Sequence, residues 1–565
     1  MAFSGGSFAS STSSPLLVNR TQQFRRTNSV KVLSMPLAYG EGNPESLRLI
    51  TKPPSNYMDG FRVKHAEKCK ETRLMLQELE DPLESLIMVD TLQRLCIDYH
   101  FEEEIDTILH KHYKVFNSSV NADLHDVALH FRLLRQAGYY APTDVFHKFT
   151  DKRGHFRGEL SEDIRGLKSL YEASHLGMEG EDTLDEAKDF AHKHLNAKMR
   201  TLKPEMARAV GETLEHPYHK NLARFKVRHY LSSNGTPGWN SLIQELARID
   251  FNIVQSLHQQ ELYQIFKWWR DTGLSKKLKF ARDQPLKWYL WPMTVLSDPK
   301  HSEQRIHLTK PISLVYIIDD IFDVHGTLDE LILFTEAVNK WEPGVIDGLP
   351  DYMMICFEAL DNITNEISDK VLKEHGWNPV GTLRKAWATL CDAFLVEAKW
   401  FASRQVPKAK DYLRNGTISS GLPLVLVHAF FLLGQGLTKE SVDRVEQMPA
   451  LISHPATILR LWDDLGSAKD EKQEGHDGSY MECYKKEHGV SSIESLQDHV
   501  FDMISDSWKE LNRECLSSSP FSQSFKRASL NFARMVPVMY SYNEDQCLPT
   551  LEKYITSLLC ENIPL

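Results

Sequence analysis

The sequence predicts an all-α protein, because its apolar residues have helical spacing and strand patterns are nearly absent. From about residue 60 onward, apolar residues recur at intervals of three and four, as in Leu83, Leu86, Ile87 and Leu92, which places them on one helix face. Apolar–polar alternation bounded by turn residues, the pattern typical of strands, is rare. Glycines and prolines divide the pattern into helices of ordinary length, and no fixed-period repeat indicates a solenoid.

The composition is that of an ordinary globular chain with an acidic balance of charge. The chain has 565 residues, of which 42% are hydrophobic and 25% charged, and its formal net charge is -11. This length exceeds the roughly 150 residues of a typical domain, so several structural units are expected. An acidic chain is a poor partner for nucleic acid, because neutralising phosphates requires a basic surface. A small phosphorylated substrate remains compatible, since bound metal can hold it.

Neither the apolar segments nor the cysteines indicate a membrane-spanning, disulfide-rich or zinc-motif protein. No segment reaches the ~18 consecutive apolar residues of a membrane span. The longest run, Leu422 to Leu433, contains His428 and predicts a buried helix. The eight cysteines are scattered without a CxxC pair, so their spacing matches neither a disulfide framework nor a zinc motif. A reducing compartment is therefore expected.

The N-terminal 40 residues differ in composition from the rest of the chain. They contain no Asp or Glu, and Arg20, Arg25, Arg26 and Lys31 stand among many serines and threonines. This composition predicts an organellar transit peptide over residues 1–40. A disordered N-terminus without a targeting role is the alternative.

An acidic cluster inside an apolar helix is the strongest functional signal. Asp319, Asp320 and Asp323 lie within the apolar run from Leu314 to Val324. Positions four apart share a helix face, so Asp319 and Asp323 are expected to point the same way. Buried unpaired carboxylates cost several kcal/mol or more, which favours neutralisation by cations or metal. Several oxygen ligands suit Mg²⁺, whereas a solvated acidic face is the alternative that the apolar flanks disfavour.

A second acidic helix follows later in the chain. Asp463, Ser467 and Glu471 are spaced four and four, which predicts a column of oxygen ligands on one face. Alone this pattern is weak, but with the first cluster it predicts two facing helices that clamp divalent ions and a diphosphate between them. Arg282 and Arg460 are candidates for bidentate contact with phosphate oxygens, although either could be a plain surface residue.

These motifs resemble those of the plant terpene synthase family. The segment Asp319-Asp320-Ile-Phe-Asp323 matches the family's DDxxD motif, and residues 463–471 match its (N/D)DxxSxxxE motif. The resemblance covers about residues 60–565. It implies an N-terminal helical barrel-like domain over residues 41–255, usually without chemistry of its own. It further implies a C-terminal class I terpenoid synthase α-bundle over residues 256–565, which contains the active site.

The resemblance also implies roles for individual residues. Three Mg²⁺ or Mn²⁺ ions are expected on one set of side chains, which comprises Asp319, Asp320, Asp323, Asp463, Ser467 and Glu471. Arg282 and Arg460 are expected to contact the diphosphate of a prenyl diphosphate substrate. The catalytic pocket for the hydrocarbon would be lined by two aromatic residues and a helix break, namely Trp291, Tyr540, Ser419, Ser420 and Gly421. Aromatic faces stabilise carbocations, although both rings could equally be core residues. A monomer is expected.

Departures from the family pattern indicate the kind of product. Residues 48–57 contain no arginine pair and no tryptophan, and Gln284 stands at the second position of the family's RxR element. Both features resemble the acyclic linalool/nerolidol synthases. The expected reaction is ionisation of geranyl diphosphate, and of farnesyl diphosphate, with water capture to give linalool and nerolidol. In a plant, the N-terminal composition predicts the plastid as location, with the cytoplasm as alternative because Met35 could serve as a second start.

Other functions fit the motifs less well. Loss of a proton instead of water capture would give acyclic olefins such as myrcene, ocimene or farnesene. A chain-elongating prenyltransferase would carry a second DDxxD motif, and a protonation-initiated cyclase would carry DxDD, which is missing from the sequence. A helical scaffold that binds protein partners would leave the acids of the second half unexplained.

Overall fold

The computed structural model of the protein describes most of the chain as helices. Within the described part, the only strand-like feature is an isolated antiparallel bridge between Thr150 and Phe156, which confirms the all-α prediction. The predicted transit peptide, residues 1–40, lies outside the described part. The described residues are 59–116, 122–232, 240–467, 479–490, 492–540 and 549–565.

Eight α-helices lie in the described residues between 59 and 232. They are α1 (Asp59–Glu78), α2 (Pro82–Arg94), α3 (Glu102–Val115), α4 (Leu124–Gln136), α5 (Ile164–Ser174), α6 (Asp182–Met199), α7 (Pro204–Glu215) and α8 (Ala223–Ser232). Helix α2 shows why the chain folds locally in this way. The Asp81 carboxylate caps it by accepting a hydrogen bond from the backbone N–H of Glu84, and Pro82 occupies a first-turn position that needs no donor.

The remaining helices follow from residue 240 onward, with no strand between them among the described residues. They are α9 (Asn240–Thr272), α10 (Leu274–Lys277), α11 (Pro285–Val295), α12 (Ser302–Asp320), α13 (Leu328–Lys340), α14 (Pro343–Ile346), α15 (Asp351–His375), α16 (Val380–Ser403), α17 (Ala409–Ser419), α18 (Leu422–Leu433), α19 (Lys439–Glu446), α20 (Ala450–Ser467), α21 (Tyr480–His488), α22 (Ile493–Leu516), α23 (Gln523–Tyr540) and α24 (Pro549–Ile555). Helix α18 packs on α12, α20 and α23, and α20 also packs on α23. Helix α11 packs on α12 and α23.

The long helix α9 connects the two parts of the chain. It packs on α1 and also on α11 and α12, and it runs through residue 255, where the domain boundary was predicted. That boundary stays a prediction. A buried ion pair holds α9 to α12, because Arg305 donates from Nε and Nη2 to the two carboxylate oxygens of Glu261 at 2.8 and 2.6 Å. Tyr289 of α11 donates to the same carboxylate at 2.6 Å, so these contacts fix α9, α11 and α12 together.

The apolar pair α17–α18 lies in the core. The stretch Ala409–Leu433 is the one candidate membrane span among the described residues, by length and composition, and 89% of its most apolar window is buried in the protein. A buried core helix passes the same test, so this finding is weak evidence for a span.

Candidate active site

The first acidic motif lies where α12 changes into a wider turn. Helix α12 ends at Asp320, and a π-helical turn, Ile321–His325, carries Asp323. The apolar flanks are buried as expected, but only one of the three acids is. The Asp320 side chain is 7% exposed, whereas that of Asp319 is 35% exposed and Asp323 is exposed at the surface of the site. The prediction that these carboxylates are buried is therefore wrong for Asp323, which is exposed in the π turn, while Asp319 is only partly buried.

Arg282 holds the first motif together. Its guanidinium pairs with the carboxylate of Asp319 and, through Nε, with Asp320 Oδ1 at 2.8 Å. Its backbone N–H donates to Asp320 Oδ2 at 2.8 Å, and Nη2 donates to the carbonyl oxygen of Tyr316 at 3.0 Å. Burial and the neighbouring Asp319 raise the pKa of Asp320 to about 6, against the opposing charge of Arg282. Asp320 therefore fixes Arg282, and its role as a metal ligand stays a prediction.

The second motif on α20 is organised in the same way around Arg460. This guanidinium donates to the Gly416 carbonyl oxygen at 3.2 Å, to Ser419 Oγ at 3.3 Å and to Asp463 Oδ2 at 3.2 Å. The neighbouring Asp464 is buried, and its Oδ1 atom lies 3.8 Å from Nη1 of Arg460. It accepts hydrogen bonds from the Tyr412 hydroxyl and from a backbone N–H of α21, both at 2.9 Å. Burial raises the pKa of Asp464 to about 7, which is consistent with a structural role.

The two motifs lie within electrostatic reach of each other. Burial is the main cause of the raised pKa of Asp463, and the negative charge of Asp319 raises it further. Tyr316 lies near both acids, because the charges of Asp319 and Asp463 both act on its hydroxyl. Arg282 thus contacts both Asp319 and the ring of Tyr316, and Asp463 lies within electrostatic reach of this group. The side chain of Ser467 and all of Glu471 lie outside the described residues, so their predicted roles stay predictions.

The predicted helix break is present and faces the first motif. Helix α17 ends at Ser419, Gly421 has a left-handed φ of +73°, and α18 begins at Leu422. A Cβ atom at Gly421 would lie 2.5 Å from Cγ1 of Val315, which is one helical turn before Asp319. The break therefore packs directly against the helix that carries the acids. Both the backbone conformation and this close approach require glycine.

Alanine at Gly421 is expected to destabilise the protein by roughly 1–3 kcal/mol, because it meets both the left-handed backbone and Val315. Thermal unfolding of Gly421→Ala should show a lower Tm than that of the parent. Adding Val315→Ala removes the contact but not the backbone strain, so the double variant should recover part of the loss. Gly381→Ala is the matched control, since nothing lies within 4 Å of its Cβ position. An equal Tm for Gly421→Ala and Gly381→Ala would contradict the expectation.

The serines of the break contact protein groups. Ser419 is 4% exposed, and its hydroxyl donates to the Glu397 carboxylate at 2.6 Å besides accepting from Arg460. Ser420 donates to the carbonyl oxygen of Thr417 at 2.8 Å. Glu397 on α16 was not identified from the sequence, because no motif links it to residues so far along the chain. Glu397 accepts a hydrogen bond from Ser419 and so holds the hydroxyl that accepts one from Arg460.

The structure describes the contacts of Trp291, one of the two predicted aromatic residues, more fully than those of the other, Tyr540. Trp291 is 5% exposed, donates from Nε1 to the Tyr316 hydroxyl at 3.2 Å, and lies 5.9 Å from Phe532, measured between ring centroids. It therefore adjoins the acidic site through Tyr316. Tyr540 is half-buried at the end of α23, next to residues outside the described part, and its place in the pocket stays a prediction.

Lys287 is a site residue that the sequence reasoning missed. It lies in the first turn of α11, one turn before Trp291, so the two side chains share a helix face. Burial is the main cause that lowers the pKa of Lys287 to about 8, with a further contribution from Arg282, while the charge of Asp463 acts in the opposite direction. Lys287 thus lies within electrostatic reach of one group from each motif, Arg282 and Asp463. The four-residue spacing to Trp291 was the available signal.

Comparison with known proteins agrees with this arrangement. The family model described as "Terpene synthase, N-terminal domain" matches residues 51–214, and "Terpene synthase family, metal binding domain" matches residues 270–510. The chain is 54% identical to an (E)-nerolidol synthase of Cannabis sativa, over 85% of this chain and 89% of that protein. It is 48% identical to a chloroplastic S-(+)-linalool synthase of Arabidopsis thaliana, over 92% and 90% of the two chains.

A similar solved structure contains ligands. It is isoprene synthase from grey poplar in complex with three Mg²⁺ ions and dimethylallyl-S-thiolodiphosphate. The TM-score is 0.83 at 36% sequence identity, and the match covers 90% of this chain and 99% of that chain.

Proposed function

Because the chain belongs to the terpene synthase family, we propose that it ionises geranyl diphosphate, and also farnesyl diphosphate, and releases an acyclic tertiary alcohol. The observation that carries this proposal is that two carboxylates, Asp319 and Asp463, each paired with an arginine, lie within electrostatic reach of each other. The buried ring of Trp291 adjoins them through the Tyr316 hydroxyl. An anionic diphosphate at the charged end would place its hydrocarbon chain toward the aromatic end.

The donor atoms fit a hard divalent cation. The candidate ligands Asp319, Asp323, Asp463, Ser467 and Glu471 all offer oxygen, which suits Mg²⁺ or Mn²⁺ and does not suit a soft metal. We assign Asp320 to positioning Arg282, because its carboxylate contacts both the backbone and the guanidinium of that residue. Bound divalent ions, three in the related isoprene synthase, would neutralise the diphosphate and promote its departure.

The diphosphate group of the substrate is also expected to contact Arg282, Arg460 and Lys287. Arg282 and Arg460 present guanidinium groups suited to two phosphate oxygens each, and Lys287 adds a point charge between them. Each arginine already contacts an acid of its own motif, which fixes its direction before the substrate binds. Binding energy is therefore available for stabilising the leaving group as its charge develops, and little is lost in ordering these side chains.

The product depends on what meets the allylic cation after ionisation. Its charge is shared between the two ends, and water attack at the tertiary end gives linalool from the C10 substrate and nerolidol from the C15 substrate. The ring of Trp291 adjoins the site and is suited to stabilise the cation by about 1–2 kcal/mol. The absence of an arginine pair in residues 48–57 and the presence of Gln284 favour release without ring closure.

Product analysis tests this function. Purified protein with Mg²⁺ and each prenyl diphosphate is expected to give mainly linalool and nerolidol, identified by gas chromatography and mass spectrometry. Myrcene, ocimene or farnesene as the main product would show that proton loss wins over water capture. Mainly cyclic products such as limonene would contradict the acyclic assignment but not the family.

The proposed location is the plastid, where the C10 substrate is mainly supplied. The acid-free residues 1–40 and the chloroplastic linalool synthase among the relatives support it. Residues 1–40 fused to a fluorescent protein are expected to direct it into plastids of plant cells, whereas a fusion that begins at Met35 should remain in the cytosol. A diffuse cytosolic signal from both fusions would reject the plastid and favour nerolidol as the biological product.

A further inference from the structure

Three side chains of types that can bind metal cluster at a place far in the sequence from the acidic motifs. His65 and Cys69 are one turn apart on α1, and His100 belongs to the short 3-10 turn Asp98–His100. One ring nitrogen of each histidine and the sulfur of Cys69 all lie within 4.8 Å of one another. The Cys69 Sγ atom is 3.7 Å from His65 Nδ1. No other group of three such donors occurs within the described residues.

A buried carboxylate orients both imidazole rings. Asp250 of α9 is 2% exposed, and its Oδ1 atom lies 3.0 Å from His100 Nε2 and 3.3 Å from His65 Nε2. The Tyr99 hydroxyl donates to the same oxygen at 2.5 Å. Although burial lowers it, hydrogen bonds to Asp250 and Cys69 raise the pKa of His65 to about 9, so a metal ion has to displace a proton from this ring. His100 Nε2 donates to Asp250, which leaves its Nδ1 as an acceptor. Histidines that bind metal usually donate their other ring N–H to a carboxylate in this manner.

We propose that His65, Cys69 and His100 form a zinc site, with water as the fourth ligand. With Zn–N of ~2.1 Å and Zn–S of ~2.3 Å, ligating atoms in a tetrahedral site lie about 3.6 Å apart, close to the separation found for Cys69 and His65. The remaining separations require small side-chain movements. The His65 and His100 side chains are 14% and 23% exposed, so water has access to the open position.

The donor set distinguishes this site from the catalytic one. Two nitrogens and a thiolate suit a borderline-soft ion such as Zn²⁺, whereas the oxygen donors around Asp319 suit Mg²⁺. The ion would connect α1 to the turn that contains His100. Through Asp250 it would also connect both to α9, the helix that extends to the catalytic part of the chain. A structural zinc in this place stabilises the docking of α1.

Cobalt spectroscopy of the full-length protein tests the site independently of activity. Chelator-treated protein, with Mg²⁺ in excess to occupy the carboxylate site, is titrated with Co²⁺. A thiolate-to-cobalt charge-transfer band is expected at one equivalent, and added Zn²⁺ should abolish it. Since only thiolate-bound cobalt gives this band, cobalt at Asp319 does not interfere.

Three variants test the assignment: one removes a proposed ligand, one is a control and one removes the orienting carboxylate. Cys69→Ser should abolish the band, while Cys515→Ser, which replaces another half-buried free cysteine, should retain it. Asp250→Asn should weaken Co²⁺ binding by about 10–100-fold, the usual effect of losing a carboxylate that orients a ligand. Zn²⁺ should raise the Tm of the parent protein and leave that of Cys69→Ser unchanged. No band in the parent protein, or a band that survives in Cys69→Ser, would overturn the proposal.

Discussion

Replacing Asp319 by asparagine is expected to lower kcat by at least ~10²-fold, the scale of losing one group that stabilises developing charge. The variant removes a carboxylate from the site while keeping its size. Arg282 retains its contacts with Asp320, so the charged centre around α12 should stay assembled. The fold should therefore survive, and the loss of rate should reflect weaker binding of metal and diphosphate.

Steady-state kinetics with geranyl diphosphate at varied Mg²⁺ concentrations, together with thermal unfolding, checks this expectation. The Mg²⁺ concentration for half-maximal rate should rise in Asp319→Asn. Asp271→Asn is the control, because Asp271 is an exposed acid at the end of α9 whose nearest cation is Arg270 at 3.7 Å. Full turnover in Asp319→Asn, or in the parent protein with a chelator in excess, would exclude the proposed mechanism.

Replacing Lys287 by methionine is expected to lower kcat/KM for geranyl diphosphate by roughly 10–100-fold, since a hydrogen bond to a charged group contributes about 1.5–3 kcal/mol. The Tm is expected to stay the same or to rise. The lowered pKa of Lys287 reflects the free-energy cost of burying its charge, and methionine of similar length removes that cost. Lower activity with equal or higher stability is a combination that loss of packing would not produce.

Inhibition by inorganic diphosphate provides a second measurement on the same variant. The inhibition constant should increase in Lys287→Met, because inorganic diphosphate is the group that we propose Lys287 contacts. Lys287→Arg keeps the charge and should recover part of the activity. Lys277→Met, at an exposed position on α10, is the control. An unchanged kcat/KM and an unchanged inhibition constant would remove Lys287 from the site.

Local sequence pattern was sufficient for the fold class and for the family. The spacing of apolar residues predicts helices because it reflects the turn of a single helix, and each acidic motif, around Asp319 and around Asp463, is a short continuous stretch of sequence. These features depend on interactions between residues a few positions apart, so a linear pattern contains them.

Packing between distant helices decided the rest. The pairing of Arg282 with Asp319 and Asp320, the approach of Lys287 to Asp463, and the contact of Glu397 with Ser419 each join different helices. The cysteine spacing showed no metal motif, yet folding brings Cys69 next to His100. No local pattern encodes such neighbours, because they arise only when buried helix faces pack together and fix the charged groups at their edges.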